Sequence, residues 1–179
     1  LEVVAAPEAS APAHQLPAGA CDAHSHVFGP FDRFPPAQAS VYALPDASPR
    51  THLSVRRRLG ISRGVLTQPA PYADDPAAML SAISEAPDDL RGGAAAGSAT
   101  LDSTLERWRA AGIVGLRFVE MRAPTGARYP GSVSFDELVK MAPRMRRLGL
   151  HAQLWASAAD LVSWLPRLLP TGLPLVLDH

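Results

Sequence analysis

Short apolar segments of strand length alternate with amphipathic segments of helix length, and this alternation constrains the fold of the chain more than any other feature. The strand-sized runs are CDAHSHVF (21–28), SRGVLTQ (62–68), RGGAAAGS (91–98), VGLRFVEM (114–121), LHAQLWA (150–156) and LPLVLDH (173–179). The helix-like segments between them lie at about 51–59, 76–85, 103–111, 134–148 and 158–169. Strands that alternate with helices form right-handed parallel crossovers, so the pattern predicts an α/β fold.

Polar residues at the carboxyl ends of several strands favour a barrel over an open sheet. A (β/α)8 TIM barrel gathers these ends around one mouth, whereas a doubly wound sheet concentrates its site at a switch point. We therefore predict a (β/α)8 barrel truncated after its sixth strand, in residues 20–179, preceded by an extended arm in residues 1–19. The polar residues in question are His24, His26, Gln68, Glu120, Arg122, Trp155 and His179.

Composition narrows the classes of partner. The 179 residues carry 17 basic and 17 acidic side chains, so no net field favours nucleic acid or an anionic membrane. The basic run 56–58 is typical of a solvated helix face. No apolar run reaches the ~18 residues that cross a bilayer. The single cysteine, Cys21, cannot form an internal disulfide, which favours the cytoplasm.

The segment Asp22-Ala23-His24-Ser25-His26 contains the strongest chemical signal in the sequence. On a strand, residues two apart share a face, so His24 and His26 project together. Neutral imidazoles are good ligands for zinc, and a third ligand from a distant strand would leave a position open for water. A pair of satisfied core or surface histidines remains the alternative.

Two further residues stand out in the later strands. His179 ends the run LPLVLDH; alternation places it on the face of Leu175 and Leu177 and places Asp178 on the other face. It is either a third ligand or a loop residue. Arg117 lies within the apolar run VGLRFVEM, where a buried guanidinium requires an anion. That anion is either Glu120, in a structural ion pair, or a carboxylate of the substrate.

Four blocks of the sequence together resemble the amidohydrolase-related (amidohydrolase 2) family. They are LPAGACDAHSHVFGP (16–30), GVLTQPAPYADD (64–75), GIVGLRFVEM (112–121) and LPLVLDH (173–179). The DxHxH start is shared by many amidohydrolases. The QPxxY and GxRF segments resemble the lactonase branch typified by the 2-pyrone-4,6-dicarboxylate lactonases.

The resemblance implies a site at the carboxyl ends of the barrel strands and hydrolysis of a small carboxylated lactone. It places His24 and His26 on the first strand and His179 on the sixth, as carbonyl-polarising groups or metal ligands. It also implies that Arg117 and Arg122 bind substrate carboxylates. The family's catalytic aspartate lies on the eighth strand, which this sequence does not contain.

Other residues and alternatives complete the predicted site. Tyr42, Gln68 and Tyr72 either line the mouth and bind substrate or pack within loops. The only lysine, Lys140, lies in a helical segment, so a lysine-bridged metal pair is not expected. One divalent ion, most plausibly zinc, and a metal-free site are both compatible with the histidines.

Two other functions are compatible with the same residues. A metal-dependent decarboxylase of the same superfamily would share the barrel and the histidines. A catalytically incomplete fragment that serves as a binding domain is the non-enzyme alternative. Association into a homo-oligomer is compatible with either.

Overall fold

A computed structural model describes residues 3–5, 8–40 and 42–179 of the chain. Its elements follow the predicted alternation, with two additional short strands near the N-terminus. The strands are β1 (Val3–Ala5), β2 (Cys21–Ser25), β3 (Leu44–Asp46), β4 (Arg63–Thr67), β5 (Leu90–Ala94), β6 (Ile113–Val119), β7 (His151–Trp155) and β8 (Leu175–Leu177). The helices are α1 (Pro49–Leu59), α2 (Ala77–Glu85), α3 (Asp102–Ala110), α4 (Phe135–Leu148) and α5 (Ala158–Leu168).

Six strands form one parallel sheet in the order β2-β4-β5-β6-β7-β8. Consecutive strands are therefore neighbours, as in a (β/α) barrel, and every pairing is parallel. The sheet is curled into a half-barrel with the helices packed against it. The predicted α/β class, the parallel sheet and the six strand positions are confirmed.

Local signals in the sequence explain where the helices begin and end. The Ser134 hydroxyl accepts the backbone N–H of Glu137 at the start of α4. Gly60 and Gly149 follow α1 and α4 with φ of 75° and 63°, the left-handed conformation that glycine adopts without cost. The Glu137 carboxylate does not complete a capping box, because it accepts the backbone N–H of Ser98 at 2.6 Å.

The hydrophobic core lies between the convex face of the sheet and the helices. Leu116 and Phe118 point from β6 into this layer and are fully buried, together with Phe135 and Leu138 of α4. Gly92 of β5 allows a close approach: an added Cβ would clash with the sulfur of Met79 and lie 2.6 Å from Ile113 Cδ1. The small residues of RGGAAAG thus permit tight packing between strand and helix.

The N-terminal segment, predicted as an extended arm, contains one short strand. Residues 3–5 pair in parallel with 44–46 to form a separate two-stranded sheet, although Val3 and Val4 stay exposed. Residues 1, 2, 6 and 7 of the predicted arm lie outside the described residues.

Two surface expectations can also be compared with the structure. The basic run is not wholly solvated, because Arg56 is 3% exposed and donates to the carbonyl of Ser62. Among the residues that the structure describes, no helix is long and apolar enough to span a membrane.

Candidate active site at the carboxyl ends of the strands

His24 and His26 lie together at the carboxyl end of β2, as their spacing predicts. Their ring centroids are 5.1 Å apart and the planes are nearly perpendicular. His26 Nδ1 lies 2.8 Å from the carbonyl oxygen of Thr67 on the neighbouring strand β4. His24 Nδ1 lies 3.1 Å from Asp178 Oδ1, which follows the last strand of the sheet.

The contact of His26 fixes its tautomer. The carbonyl oxygen of Thr67 only accepts hydrogen bonds, so His26 Nδ1 carries the proton and, in the neutral ring, Nε2 keeps a lone pair. His24 Nδ1 faces both the Asp178 carboxylate and, at 3.2 Å, the amide nitrogen of Gln153. Burial lowers the pKa of His26 to about 4, with a further contribution from the charge of Arg117, while the hydrogen bond to Thr67 acts in the opposite direction. His26 is therefore neutral near pH 7.

Asp178 is the centre of a polar cluster on the concave side of the sheet. Its carboxylate is 3% exposed and accepts hydrogen bonds from His24 and, at 2.8 Å, from the Gln153 amide. Arg117 Nε lies 3.4 Å from its second oxygen. Burial raises the pKa of the Asp178 carboxyl, but His24, Arg117 and Gln153 outweigh this effect and hold the pKa below its usual value.

Asp178 points inward, on the face opposite Leu175 and Leu177, as strand alternation predicts. Val176 pairs with Gln153, and Gln153 pairs with Arg117, so Asp178 continues the concave face on which these polar residues lie. The apolar alternation of β8 instead marks the helix side. His179 has a φ of 58°, so strand alternation no longer applies to it.

His179 nevertheless reaches the same cluster. Its ring centroid lies 4.9 Å from that of His24. His24, Asp178 and His179 each offer a ligand atom, and these atoms all lie within 4.8 Å of one another, whereas His26 of the predicted ligand set is not part of this group. His24 Nε2 and Asp178 Oδ2 are both buried, and neither atom has a hydrogen-bond partner. An orphaned imidazole lone pair, with the other ring nitrogen held by a carboxylate, fits a divalent cation.

Arg117 is held by protein groups and also faces open space. Its Nη1 donates to the carbonyl of Gln68 at 3.0 Å, and its guanidinium carbon lies 5.4 Å from the centroid of the Trp155 ring. The protein carboxylate beside it is Asp178. The alternative ion pair with Glu120 is therefore wrong, since Glu120 is paired elsewhere.

A cavity of about 710 Å³ opens in front of these residues. Arg117, His26 and His179 contribute polar groups to its wall. Gln38 and Ser40 are the other polar residues of the wall. The remaining lining residues are apolar or aromatic: Phe28, Ala39, Tyr42, Ala43, Pro45, Pro69, Ala70, Pro71, Tyr129, Pro130 and Trp155.

Arg122 is not brought to this cavity. Its side chain is 46% exposed, and its Nη2 lies 3.9 Å from Glu120 Oε2. The same oxygen accepts from Arg128 at 2.8 Å, and Glu120 Oε1 accepts the backbone N–H of Phe135 at 2.9 Å. Arg122 thus belongs to a separate cluster around a buried carboxylate.

The three predicted loop residues take different positions. Tyr42 lines the cavity and is 47% exposed. Tyr72 is buried outside it: its hydroxyl accepts the N–H of Gly29 at 2.8 Å and donates to the carbonyl of Phe34. The Gln68 amide donates to the carbonyl of Asp75 at 2.7 Å, so its side chain supports a loop.

The comparison with protein families assigns the chain. The family model described as amidohydrolase matches residues 21–179. The chain belongs to the amidohydrolase family.

Curated relatives of this amidohydrolase include lactone hydrolases. It is 36% identical to 2-pyrone-4,6-dicarboxylate hydrolase of Comamonas testosteroni, over 95% of this chain and 54% of that protein. It is 38% identical to 4-sulfomuconolactone hydrolase of Rhizobium radiobacter, over 43% of this chain and 26% of that protein. The chain thus spans about half the length of the first relative.

Solved structures show the same fold. A probable 2-pyrone-4,6-dicarboxylic acid hydrolase of Acinetobacter baumannii, with citric acid bound, aligns with a TM-score of 0.75 at 29% identity. The alignment covers 90% of this amidohydrolase and 58% of the A. baumannii chain. An apo protein of Agrobacterium tumefaciens aligns with a TM-score of 0.76 at 27% identity, over 94% and 59% of the two chains.

The sequence reasoning missed three members of the site. Asp178 was placed on the face opposite Leu175 and Leu177 but was not named as a site residue, and Gln153 was not singled out although a glutamine inside an apolar strand is a signal like Arg117. The side chain of Gln153 has room on the concave face because Gly93 of β5 has no side chain. A Cβ added to Gly93 would lie 2.8 Å from Gln153 Oε1. Trp155 was noted only as a strand end, although it forms part of the cavity wall.

Proposed function

We propose that the whole protein is a hydrolase that opens a small carboxylated lactone in this cavity. The observation that carries the proposal is Arg117, a buried guanidinium that lines a largely apolar cavity beside His26 and His179. A carboxylate matches the donor fork of a guanidinium. The names of the relatives support a lactone, and the A. baumannii structure, described with citric acid bound, shows that a protein of this fold can bind a carboxylic acid.

We also propose that His24, His26 and His179 hold one divalent cation, with zinc as the preferred ion. Each of the first two rings offers Nε2 because its Nδ1 donates to Asp178 or Thr67. When bound, the cation would polarise the lactone carbonyl and make a bound water more acidic.

The remaining chemistry falls to the protein's own groups. Arg117 holds the substrate carboxylate and so orients the ring against the histidines. Asp178 orients His24 and balances the charge of Arg117. It is a poor general base, because Oδ1 accepts from His24 and Gln153, the charge of Arg117 lies beside Oδ2, and its pKa is lowered. The carboxylate that activates water is therefore proposed to lie outside residues 1–179.

The reaction class can be tested with the full natural chain. Ring opening of carboxylated 2-pyrones is expected. The reaction is measured as loss of the absorbance of the pyrone ring. Conversion of an unsaturated carboxylic acid with release of CO2, and no lactone turnover, would instead identify a decarboxylase. No turnover of either class by the full natural chain would favour a binding domain.

The role of Arg117 can be tested with a matched arginine. Arg117→Ala is expected to raise KM about 10- to 100-fold, the loss of about 1.5–3 kcal/mol from a charged hydrogen-bonding group. Arg122→Ala should change KM less than threefold, because Arg122 lies outside the cavity. Equal effects of the two substitutions would contradict the assignment.

The cation can be tested by elemental analysis. About one equivalent of zinc is expected in the full natural chain and should be lost in His24→Ala. His14→Ala, which replaces an exposed histidine of the N-terminal segment, should retain it. Full activity after treatment with a chelator, with no metal detected, would refute the cation and favour the metal-free alternative.

A further inference from the structure

The loop that joins β6 to α4, residues 120–134, is folded back on itself. Arg122 and Arg128 pair in an antiparallel bridge. Between them, the backbone N–H of Ala123 donates to the carbonyl of Ala127 at 3.0 Å. The chain therefore reverses direction within this loop and returns toward the strand that it left.

Glu120, at the start of this loop, is a buried carboxylate with two partners farther along the chain. Its Oε2 accepts from Arg128 Nη2 at 2.8 Å, and its Oε1 accepts the backbone N–H of Phe135 at 2.9 Å. Because Glu120 is 6% exposed, the loss of Arg128 would leave its charge desolvated and incompletely paired. Arg122 Nη2 lies 3.9 Å from the same oxygen, beyond hydrogen-bond distance. Arg128 is therefore the arginine that ties the returning arm of the loop to the end of β6.

The residue after Arg128 brings an aromatic ring to the site. Tyr129 packs on Trp155 at the end of β7, with ring centroids 5.4 Å apart and planes that differ by 17°, which is an offset stack. The guanidinium carbon of Arg117 lies 5.4 Å from the centroid of the Trp155 ring. The ring centroid of His179 lies 5.6 Å from that of Trp155. Trp155 thus contacts both a proposed carboxylate-binding residue and a proposed cation ligand.

The loop also packs closely against the segment that follows β4. Gly131 has a φ of 74°, and a Cβ added to it would lie 2.9 Å from the carbonyl oxygen of Ala70. Tyr129, Pro130 and Ala70 all line the cavity. The loop therefore forms one side of the cavity wall, and contacts of Arg128 and Gly131 hold it on both sides of the aromatic ring.

We propose that Arg128 is a positioning residue for substrate binding and acts through Tyr129. The ion pair with Glu120 places Tyr129 on Trp155. The stack then holds Trp155 beside Arg117, so that the guanidinium keeps the orientation in which it receives a substrate carboxylate. The inference rests on the proposed function and deepens it, because it gives Arg128 a role through a neighbouring ring and not through contact with the ligand.

The proposal can be tested by steady-state kinetics of the full natural chain with 2-pyrone-6-carboxylate. Arg128→Ala should raise KM about tenfold, the effect of losing one aromatic contact beside the substrate. It should leave kcat within about threefold, because the contacts that hold His24 and His26 lie outside the loop. The matched control is Arg122→Ala, on the same loop and beside the same carboxylate, which should leave both constants within about threefold.

The two kinetic constants separate positioning from a general loss of structure. Partial unfolding lowers the amount of active enzyme, so it would reduce the apparent kcat and leave KM unchanged. That pattern in Arg128→Ala would overturn the proposal, and so would equal values of KM in Arg128→Ala and Arg122→Ala.

A double-mutant cycle tests whether Arg128 acts through Tyr129. Tyr129→Ala should raise KM about tenfold, whereas Tyr129→Phe keeps the stack and should stay within about threefold of the wild type. The variant with alanine at both positions should raise KM no more than Tyr129→Ala alone, because both substitutions remove the same contact. A rise of about a hundredfold would show two independent effects and overturn the proposal. If Arg128→Ala does not fold, Arg128→Gln takes its place in the cycle under the same criterion.

Failure of the proposed function is a separate outcome. If the full natural chain hydrolyses no carboxylated lactone, the proposed function fails. The dissociation constant of 2-pyrone-6-carboxylate, measured by calorimetry, then replaces KM in the same comparisons. Equal dissociation constants for the wild type and Tyr129→Ala, or no binding to the wild type, would overturn the positioning role.

Discussion

Removal of the Asp178 carboxylate is expected to destabilise the fold strongly. In Asp178→Ala, Arg117 loses its charge partner, and His24 and Gln153 lose a hydrogen-bond acceptor. Breaking a buried ion pair costs about 3–5 kcal/mol because the remaining charge stays desolvated. Arg117 also borders the cavity and keeps the carbonyl of Gln68, so we expect the lower end, about 3 kcal/mol. Asp178→Asn keeps one acceptor oxygen and should cost about 2 kcal/mol.

Urea unfolding of the full natural chain, followed by tryptophan fluorescence and circular dichroism, measures this loss. The matched control is Asp136→Ala, which removes an ion pair of similar length, 2.7 Å, to Arg167. Both partners of that pair are 54% exposed, so the control should change the free energy of unfolding by less than about 1 kcal/mol. If Asp178→Ala costs no more than the control, the buried pair does not contribute as argued.

Three further substitutions test the packing and the electrostatics outside the site. Gly92→Ala should cost about 1–3 kcal/mol in urea unfolding, because its Cβ would overlap Met79 and Ile113; a neutral result would show that this layer relaxes freely. Ser134→Ala should cost about 1 kcal/mol through loss of the α4 cap, whereas Ser134→Thr should stay close to the wild type. Hydrogen bonds from Lys140 and Ser98 lower the pKa of Glu137 to about 2, from an ordinary 4.5. The contribution of Glu137 to the free energy of unfolding is therefore complete above about pH 4.5 and is lost as the pH falls toward 2. Glu137→Gln should therefore flatten the loss of stability over that interval, and an unchanged acid profile would contradict the assignment.

The sequence predicted most of the fold because its local signals agree with one another. Ser134 precedes the segment predicted as α4, and a glycine follows the segments predicted as α1 and α4; in the structure these residues are the caps of the two helices. The strands were located within a few residues because each is a short apolar run between such signals. The pairing of residues 3–5 with 44–46 was not predicted, since two strands of three residues are too short to leave a periodic pattern.

The site was predictable only in part, for a geometric reason. His24 and His26 are two residues apart on one strand, so their proximity follows from strand geometry alone. The partner of Arg117 lies on another strand, and the choice between Glu120 and Asp178 depends on which face of the sheet is concave. In a barrel the larger apolar layer lies outside the strands, so the apolar alternation of β8 indicated the helix side instead of the interior.

The contact between His24 and Asp178 joins residues 154 positions apart in the chain. A contact of such long range contributes to a high contact order, and its loop-closure entropy must be overcome before the polar cluster gains its hydrogen bonds. This polar cluster is therefore expected to assemble late in folding, after the neighbouring strands have paired. A ligand that binds between β2 and β8 would stabilise the whole six-stranded sheet, because its site exists only when these two strands have been brought together. Each tenfold increase in the free concentration of such a ligand, above its dissociation constant, would add about 1.4 kcal/mol to the free energy of unfolding.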